Sequence, residues 1–162
     1  MAKIIKVENE KLPFTKFIGK FCEGEMDMPA IWGEWFEKDW FHFADVLGRD
    51  ETDGSFVGLC IADPKTGYKY GLGALVAESV AAPEGYADMK LPTDSAKVFY
   101  IKGKDDPTLY EMEGQCYAQA GAEGMFKDDA GRFFSVERYA CPSFSEPDEN
   151  GEVILDFCIL TK

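Results

Sequence analysis

Hydrophobic and polar positions along this chain change period in the same order twice. Positions 14–23 (FTKFIGKFCE) carry the short apolar alternation of a strand. A short acidic turn ending in Met28-Pro29 follows. In 30–47 (AIWGEWFEKDWFHFADVL), Trp32, Trp35, Phe36, Trp40, Phe43, Val46 and Leu47 recur at helical spacing. Asp27 or Pro29 can start this helix and Gly48 can end it. Two strand-like runs come next, 56–62 (FVGLCIA) and 68–77 (YKYGLGALVA). Asp63-Pro64-Lys65-Thr66-Gly67 between them is hairpin chemistry.

The second half repeats the order. Positions 96–102 (AKVFYIK) read as a strand, and Asp105-Asp106-Pro107 as a helix start. A helix follows over about 108–120, weakened by Gly114 and Gly121. Runs 133–141 and 153–160 close the half as strands, joined by the acidic, turn-rich segment 142–151. Pro83-Glu84-Gly85 and Leu91-Pro92 punctuate the join. Neither half easily buries its apolar faces alone. The pattern therefore predicts one α+β domain over 1–162, with pseudo-repeats at about 12–79 and 90–161 and an antiparallel sheet. A cleft between such halves is a natural ligand site.

Within 133–141, alternation puts Phe133, Ser135, Glu137, Tyr139 and Cys141 on one face, and Phe134, Val136, Arg138 and Ala140 on the other. Both faces are largely apolar, which leaves Glu137 at a buried surface. A buried carboxylate is costly unless it is paired, hydrogen-bonded or protonated. Two readings follow. Glu137 is a structural residue paired with Arg138, Lys97 or a tyrosine hydroxyl, or it meets something positive or polar that binds there. Asp156, on the face of Ile154, Cys158 and Leu160, is a second carboxylate in an apolar strand. It is expected to pair with Arg138, and a Glu137/Asp156 catalytic pair requires both to face one cleft.

Bulk composition narrows the classes. The 162 residues are 46% hydrophobic and 14% aromatic, enough for a core and a lined pocket. A formal net charge of −13 repels phosphate backbones and favours a cationic ligand over direct nucleic-acid binding. The five cysteines are widely spaced, odd in number and lack a C-x-x-C pair. That usage implies a reducing, cytoplasmic location. Met1–Lys6 lacks the apolar core of a signal sequence, and no apolar run is long enough for a bilayer.

Several chemistries are disfavoured. His42 is the lone histidine, which excludes histidine-rich metal sites and makes a Ser-His-Asp triad a poor reading. Gly71-Leu72-Gly73 lies within a strand with no helix directly after it, unlike a dinucleotide loop. No lysine loop cradles phosphate, and Cys116 and Cys141 have no evident base. No cofactor and no metal are expected.

Phe17-Ile18-Gly19, the aromatic run from Trp32 to Phe36, Tyr70-Gly71, Leu91-Pro92, Glu137-Arg138-Tyr139 and the closing strand 153–160 occur in that order over nearly the whole chain. In this the chain resembles the GyrI-like, AraC-type effector-binding domains. The resemblance implies a duplicated β-α-β-β unit with two helices and a central cleft for drug-like, often lipophilic and cationic molecules. It also implies that Glu137 is the cleft glutamate that meets the ligand's charge. Members are often fused to helix-turn-helix modules, for which this sequence leaves no residues. A stand-alone small-molecule-binding protein is therefore expected. Some relatives resemble hydrolases that open the cyclopropane ring of DNA-alkylating natural products, which would make Glu137 a general base. Others bind and inhibit a topoisomerase, so a protein partner for the acidic surface is a further alternative.

Aromatic faces around Glu137 would supply cation–π attraction and flat apolar contact. Tyr139 shares the face of Glu137 by alternation. Tyr70 is placed mainly by the resemblance, with Tyr68 a rival on the same face of its strand. Trp35 is the first candidate from the aromatic helix, followed by Trp32, Phe36 and Trp40. Packing of that helix on the sheet competes for all of them.

Overall fold

The computed structural model describes residues 1–22 and 27–162. Glu23, the last residue of the first expected strand, and most of the acidic turn after it lie outside the described residues. The first half contains β1 (Lys3–Lys11), β2 (Lys16–Phe21), α1 (Met28–Glu37), α2 (His42–Asp45), β3 (Thr52–Asp63) and β4 (Gly67–Val76). The second contains β5 (Ala87–Lys90), β6 (Ser95–Lys104), α3 (Pro107–Glu111), α4 (Glu113–Ala120), β7 (Phe133–Tyr139) and β8 (Glu152–Leu160). The eight strands form one antiparallel sheet in the order β1-β6-β8-β7-β3-β4-β2-β5. Exchanging each strand for its counterpart in the other half and reversing the order returns the same sequence of strands. The fold is thus α+β and built from a duplicated β-α-β-β unit, with β3 and β7 meeting at its centre.

Each unit carries an additional leading strand that the sequence pattern does not reveal. β1 pairs with β6 of the other half, and β5 pairs with β2. One register runs from Lys6↔Tyr100 to Lys11↔Ser95 and again from Lys16↔Lys90 to Gly19↔Ala87. Between these stretches Leu12 N donates to Asp94 O at 2.8 Å and Leu91 N to Thr15 O at 2.7 Å. Residues 6–19 and 87–100 therefore make one antiparallel ribbon. It joins β1 and β2, which lie near opposite ends of the strand order, so the sheet must curl. The enclosed face gathers Leu12, Phe17, Val57, Leu59, Leu75, Leu91, Val98 and Val136 into one core. The outer face carries the helices, over clusters that include Ile101, Leu109, Cys116, Leu155 and Phe157 on one side and Trp35, Phe41, Tyr70 and Leu72 on the other.

The helices start where sequence chemistry places them. Asp27 caps α1 by accepting from Ala30 N at 3.2 Å, and Asp106 caps α3 by accepting from Thr108 N at 2.9 Å, each with a proline in the first turn. The helix expected over 30–47 is, however, broken. Asp39 takes φ +54°, Trp40 N donates to Trp35 O at 3.0 Å and Asp39 N to Phe36 O at 3.3 Å. This is a Schellman end, with an aspartate where glycine is usual. Its apolar contact is Trp40 edge-on to Trp35, ring centroids 5.6 Å apart. The break lets Phe41 stack on Phe56 of β3 at 3.8 Å, which a continuing helix would not allow. The second helix is divided between α3 and α4 around Met112.

Candidate ligand cleft between the two halves

Glu137 sits in β7 at the centre of the sheet, opposite Gly58 of β3 and Phe157 of β8. It is 5% exposed. Its Oε1 accepts from Tyr139 Oη at 2.9 Å and from Tyr70 Oη at 2.8 Å. Tyr139 is two residues along the same strand, so pleating puts both side chains on one face. Tyr70 lies on β4 and must reach across β3. It can because Gly58 has no side chain: a Cβ there would lie 2.2 Å from Tyr70 Oη and 2.7 Å from Glu137 Oε1.

A second carboxyl, not anticipated from the sequence, meets Glu137 from α4. Burial raises the proton affinity of Glu113, and a hydrogen bond to Glu137 and the charge of that residue raise it further, to about pKa 11. Its Oε2 is buried and has no hydrogen-bond partner. Two carboxyls in such a site cannot both ionise cheaply, and the raised value keeps Glu113 protonated at neutral pH. The sequence held a signal for Glu113: it falls at helical spacing among Leu109, Cys116, Tyr117 and Ala120, on the apolar stripe rather than the solvated face.

Hydroxyls and thiols fill the surroundings. Tyr68 Oη donates to Cys60 Sγ at 2.8 Å, and Tyr117 Oη and Ser135 Oγ are 2.6 Å apart. Tyr110 Oη donates to Asp105 at 3.1 Å. Burial pushes Tyr68, Tyr70, Tyr110, Tyr117, Tyr139 and Cys60 above their ordinary values, and the charge of Glu137 adds to each. Among the described residues no lysine, arginine or histidine forms an ion pair with Glu137 or Glu113.

The residues singled out from sequence divide into three groups. Tyr70 and Tyr139 touch Glu137 directly. Trp32 is one contact away, edge-on to Tyr139 at 4.9 Å, and Phe36 stacks on Trp32 at 6.0 Å with 62% of its surface exposed. Tyr68 is 57% exposed and reaches Cys60 rather than Glu137. Trp35 and Trp40 serve the packing of α1: Trp35 is buried against Phe41 at 4.5 Å. The face of Trp40 is already occupied by Lys20 Nζ at 4.5 Å and Lys38 Nζ at 4.9 Å.

Asp156 is excluded from the cleft by register. It pairs with Arg138, so its side chain lies on the opposite face of the sheet from Glu137. There Arg138 Nε donates to Asp156 Oδ2 at 2.9 Å, with Glu10 at 3.7 Å from the same guanidinium. Burial raises the Asp156 carboxyl above its usual range, against the pull of Arg138. Asp39, His42 and Asp45 bring potential metal-ligand atoms within 4.8 Å of one another, but all three are exposed on the α2 turn, unlike a closed structural site.

The cleft is filled by its own side chains. Two surface hollows lie elsewhere, one of about 620 Å³ bordered by Pro92, Met125, Phe126 and Lys127, the other of about 250 Å³ bordered by Leu47, Thr52 and Phe56. A ligand reaching Glu137 must move aromatic side chains, and the outermost of these are Phe36 and Tyr68.

Known structures share this architecture over the full chain. SAV2435, solved bound to tetraphenylphosphonium, is 15% identical with a TM-score of 0.62, and the match covers 98% of this chain and 94% of that one. An integron cassette protein from the mobile metagenome of Vibrio cholerae is 12% identical with a TM-score of 0.54, covering 99% of each chain. At these identities the likeness establishes the fold alone. No protein-family model and no curated protein sequence matches the chain.

Proposed function

We propose that this protein binds lipophilic, cationic small molecules in the helix-lined cleft, with Glu137 as its central polar determinant. The observation that carries the reading is a buried carboxylate that receives two tyrosine hydroxyls yet has no basic partner among the described residues. Its charge is held in low dielectric, where attraction to a cation is much stronger than in water. Tyr70, Tyr139 and Trp32 offer the aromatic faces a flat cation prefers. The sequence resemblance to GyrI-like effector-binding domains supports the same reading. So does the tetraphenylphosphonium bound by the structurally similar SAV2435. The five cysteines are free, and among the described residues no helix is long and apolar enough to cross a membrane. Both fit our placement of this activity in the cytoplasm.

Titration of tryptophan fluorescence with tetraphenylphosphonium tests this directly. Saturable quenching in wild type, weakened at least tenfold in Glu137→Gln, is expected. Equal quenching in both proteins would remove Glu137 from the site.

The carboxyl pair also favours a second reading, hydrolytic opening of a strained ring conjugated to a carbonyl. Glu137 would take a proton from water as the water oxygen bonds to a ring carbon. The ring C–C bond breaks, its electron pair passes to the carbonyl oxygen, and Glu113 protonates that oxygen. Mass spectrometry of a cyclopropane-bearing compound incubated with the protein distinguishes the two. A Glu137-dependent gain of one water supports hydrolysis, and an unchanged mass supports binding alone.

A further inference from the structure

Beside Glu137, the same face of the sheet carries a second polar cluster that cation binding does not use. Ser135 precedes Glu137 by two residues on β7, so the two share a face. Cys60 on β3 is the register partner of Ser135. Ser135 is 1% exposed and Cys60 2%, and the next partner along the row, Ile159 of β8, is fully buried. Tyr68 Oη reaches Cys60 Sγ from β4, and Tyr117 Oη reaches Ser135 Oγ from α4. Alanine at 135 and phenylalanine at 117 would pack the same floor with no hydroxyl to satisfy, so packing alone does not account for the pair.

Donors outnumber acceptors here. Three hydroxyls and a thiol bring four hydrogens. Tyr68 uses one on Cys60, and the Tyr117–Ser135 pair uses one whichever of them donates. Ser135 turned towards the sulfur of Cys60 uses a third, on a weak acceptor that a carbonyl oxygen would displace. In every arrangement at least one hydrogen has no acceptor among the described residues. What the cluster lacks is an acceptor atom.

We propose that Ser135 and Tyr117 form an acceptor subsite of the cleft, which receives a carbonyl or ether oxygen of the bound cation. This rests on the binding reading above and deepens it by naming the ligand class. The ligand lies along β7 with its charge at Glu137 and its oxygen at Ser135. Two residues of one strand separate these points, a rise of about 6–7 Å. Lipophilic cations with an acceptor oxygen at that reach from the charge are therefore preferred over those without one. Tyr68 is the movable cover. It is 57% exposed, and its anchor is a hydrogen bond to sulfur, which is easily given up. Its outward swing uncovers Cys60 and Ser135 together.

A matched pair of cations tests the subsite: para-acetylphenyl-triphenylphosphonium and its para-isopropyl counterpart. Their shapes are nearly the same, and only the first carries a carbonyl oxygen, at the required reach from phosphorus. Fluorescence titration of wild type should show the acetyl compound bound about fivefold more tightly. In Ser135→Ala, and in Ser135→Ala combined with Tyr117→Phe, the ratio should fall to unity or below, because a buried carbonyl without a donor has lost its water. Affinity for the isopropyl compound should stay at the wild-type value. Equal affinities in wild type would overturn the subsite and leave the binding function standing. So would a preference that survives in both variants, or exclusion of the acetyl compound by a protein that binds tetraphenylphosphonium. No binding of any of the three cations by folded wild type would overturn both.

The infrared carbonyl stretch of the isotope-labelled acetyl compound reads the contact from the ligand's side. It should lie at lower wavenumber when bound to wild type than when bound to the double variant. The same band position in both proteins would overturn the proposal.

Discussion

Gly58 lies directly across the β3–β7 pair from Glu137, and the space a methyl group would need there is taken by the Tyr70 hydroxyl and the Glu137 carboxylate. The glycine is what lets a tyrosine two strands away reach the carboxylate. Gly58→Ala should push Tyr70 off Glu137, destabilise the protein by about 1–3 kcal/mol through overpacking and weaken tetraphenylphosphonium binding. Thermal unfolding and fluorescence titration check both parts. An unchanged affinity with the tyrosine displaced would show that Tyr70 is dispensable.

Gly33 is the contrasting case. It lies inside α1, and a Cβ there meets nothing within 4 Å. Gly33→Ala should stabilise the protein by up to about 1 kcal/mol through helix propensity alone. Chemical denaturation would show the midpoint rising with binding unaffected.

The tyrosine hydroxyls can be separated from their rings. Tyr70→Phe and Tyr139→Phe each remove one hydrogen bond to a charged oxygen, expected to cost about 1.5–3 kcal/mol. The cost should shrink when Glu137→Gln is already present, because the acceptor is then uncharged. A double-mutant cycle on urea unfolding measures this coupling. Additive costs would mean that the hydroxyls are stabilised by something other than the carboxylate.

Glu113 makes stability depend on pH in a defined direction. Its carboxyl keeps a proton in the fold up to about pH 11, whereas the unfolded chain releases it near the ordinary value of 4.5. Between these limits the unfolded state binds fewer protons, so stability falls as pH rises. The contribution is complete below the lower value and is lost progressively towards the upper one. Glu113→Gln should remove that slope and be the more stable protein in mildly alkaline solution. Urea midpoints at about pH 5 and 8 decide it. Parallel pH profiles for the two proteins would contradict the assignment.

Arg138 is predicted to matter only for stability. Arg138→Met strands Asp156 and Glu10, and should cost about 3–5 kcal/mol. Adding Asp156→Leu should recover much of the loss, with ligand affinity little changed when the protein is folded. A selective loss of binding in the stabilised double variant would tie this opposite face of the sheet to function.

Strand alternation was enough to find Glu137 and its neighbour Tyr139, because a pleated strand fixes facing from local order alone. It also placed Arg138 and Asp156 together. Tyr70 came from resemblance, and only the empty position at Gly58 explains physically why it, rather than Tyr68, arrives at the carboxylate. Glu113 was hidden because a single glutamate on a short, glycine-containing helix looks solvated unless the stripe it interrupts is recognised. β1 escaped notice for a different reason. Lys3–Lys11 is charged and mostly exposed, held by backbone pairing to β6 rather than by apolar burial, so no hydrophobic period announces it. The break after α1 was likewise silent, since its left-handed residue is Asp39 rather than a glycine.

The exchanged leading strands bear on how such a chain could have arisen. Each half lends its first strand to the other, so a half on its own would lack one partner for its second strand and keep a loose arm. Two identical halves would satisfy one another by swapping arms, as a twofold homodimer with its carboxylate cleft on the dyad. Tandem joining of the two copies would free each from being the other's mirror. The present chain makes use of that freedom: its two cleft carboxyls, Glu137 on a strand and Glu113 on a helix, both come from the second half.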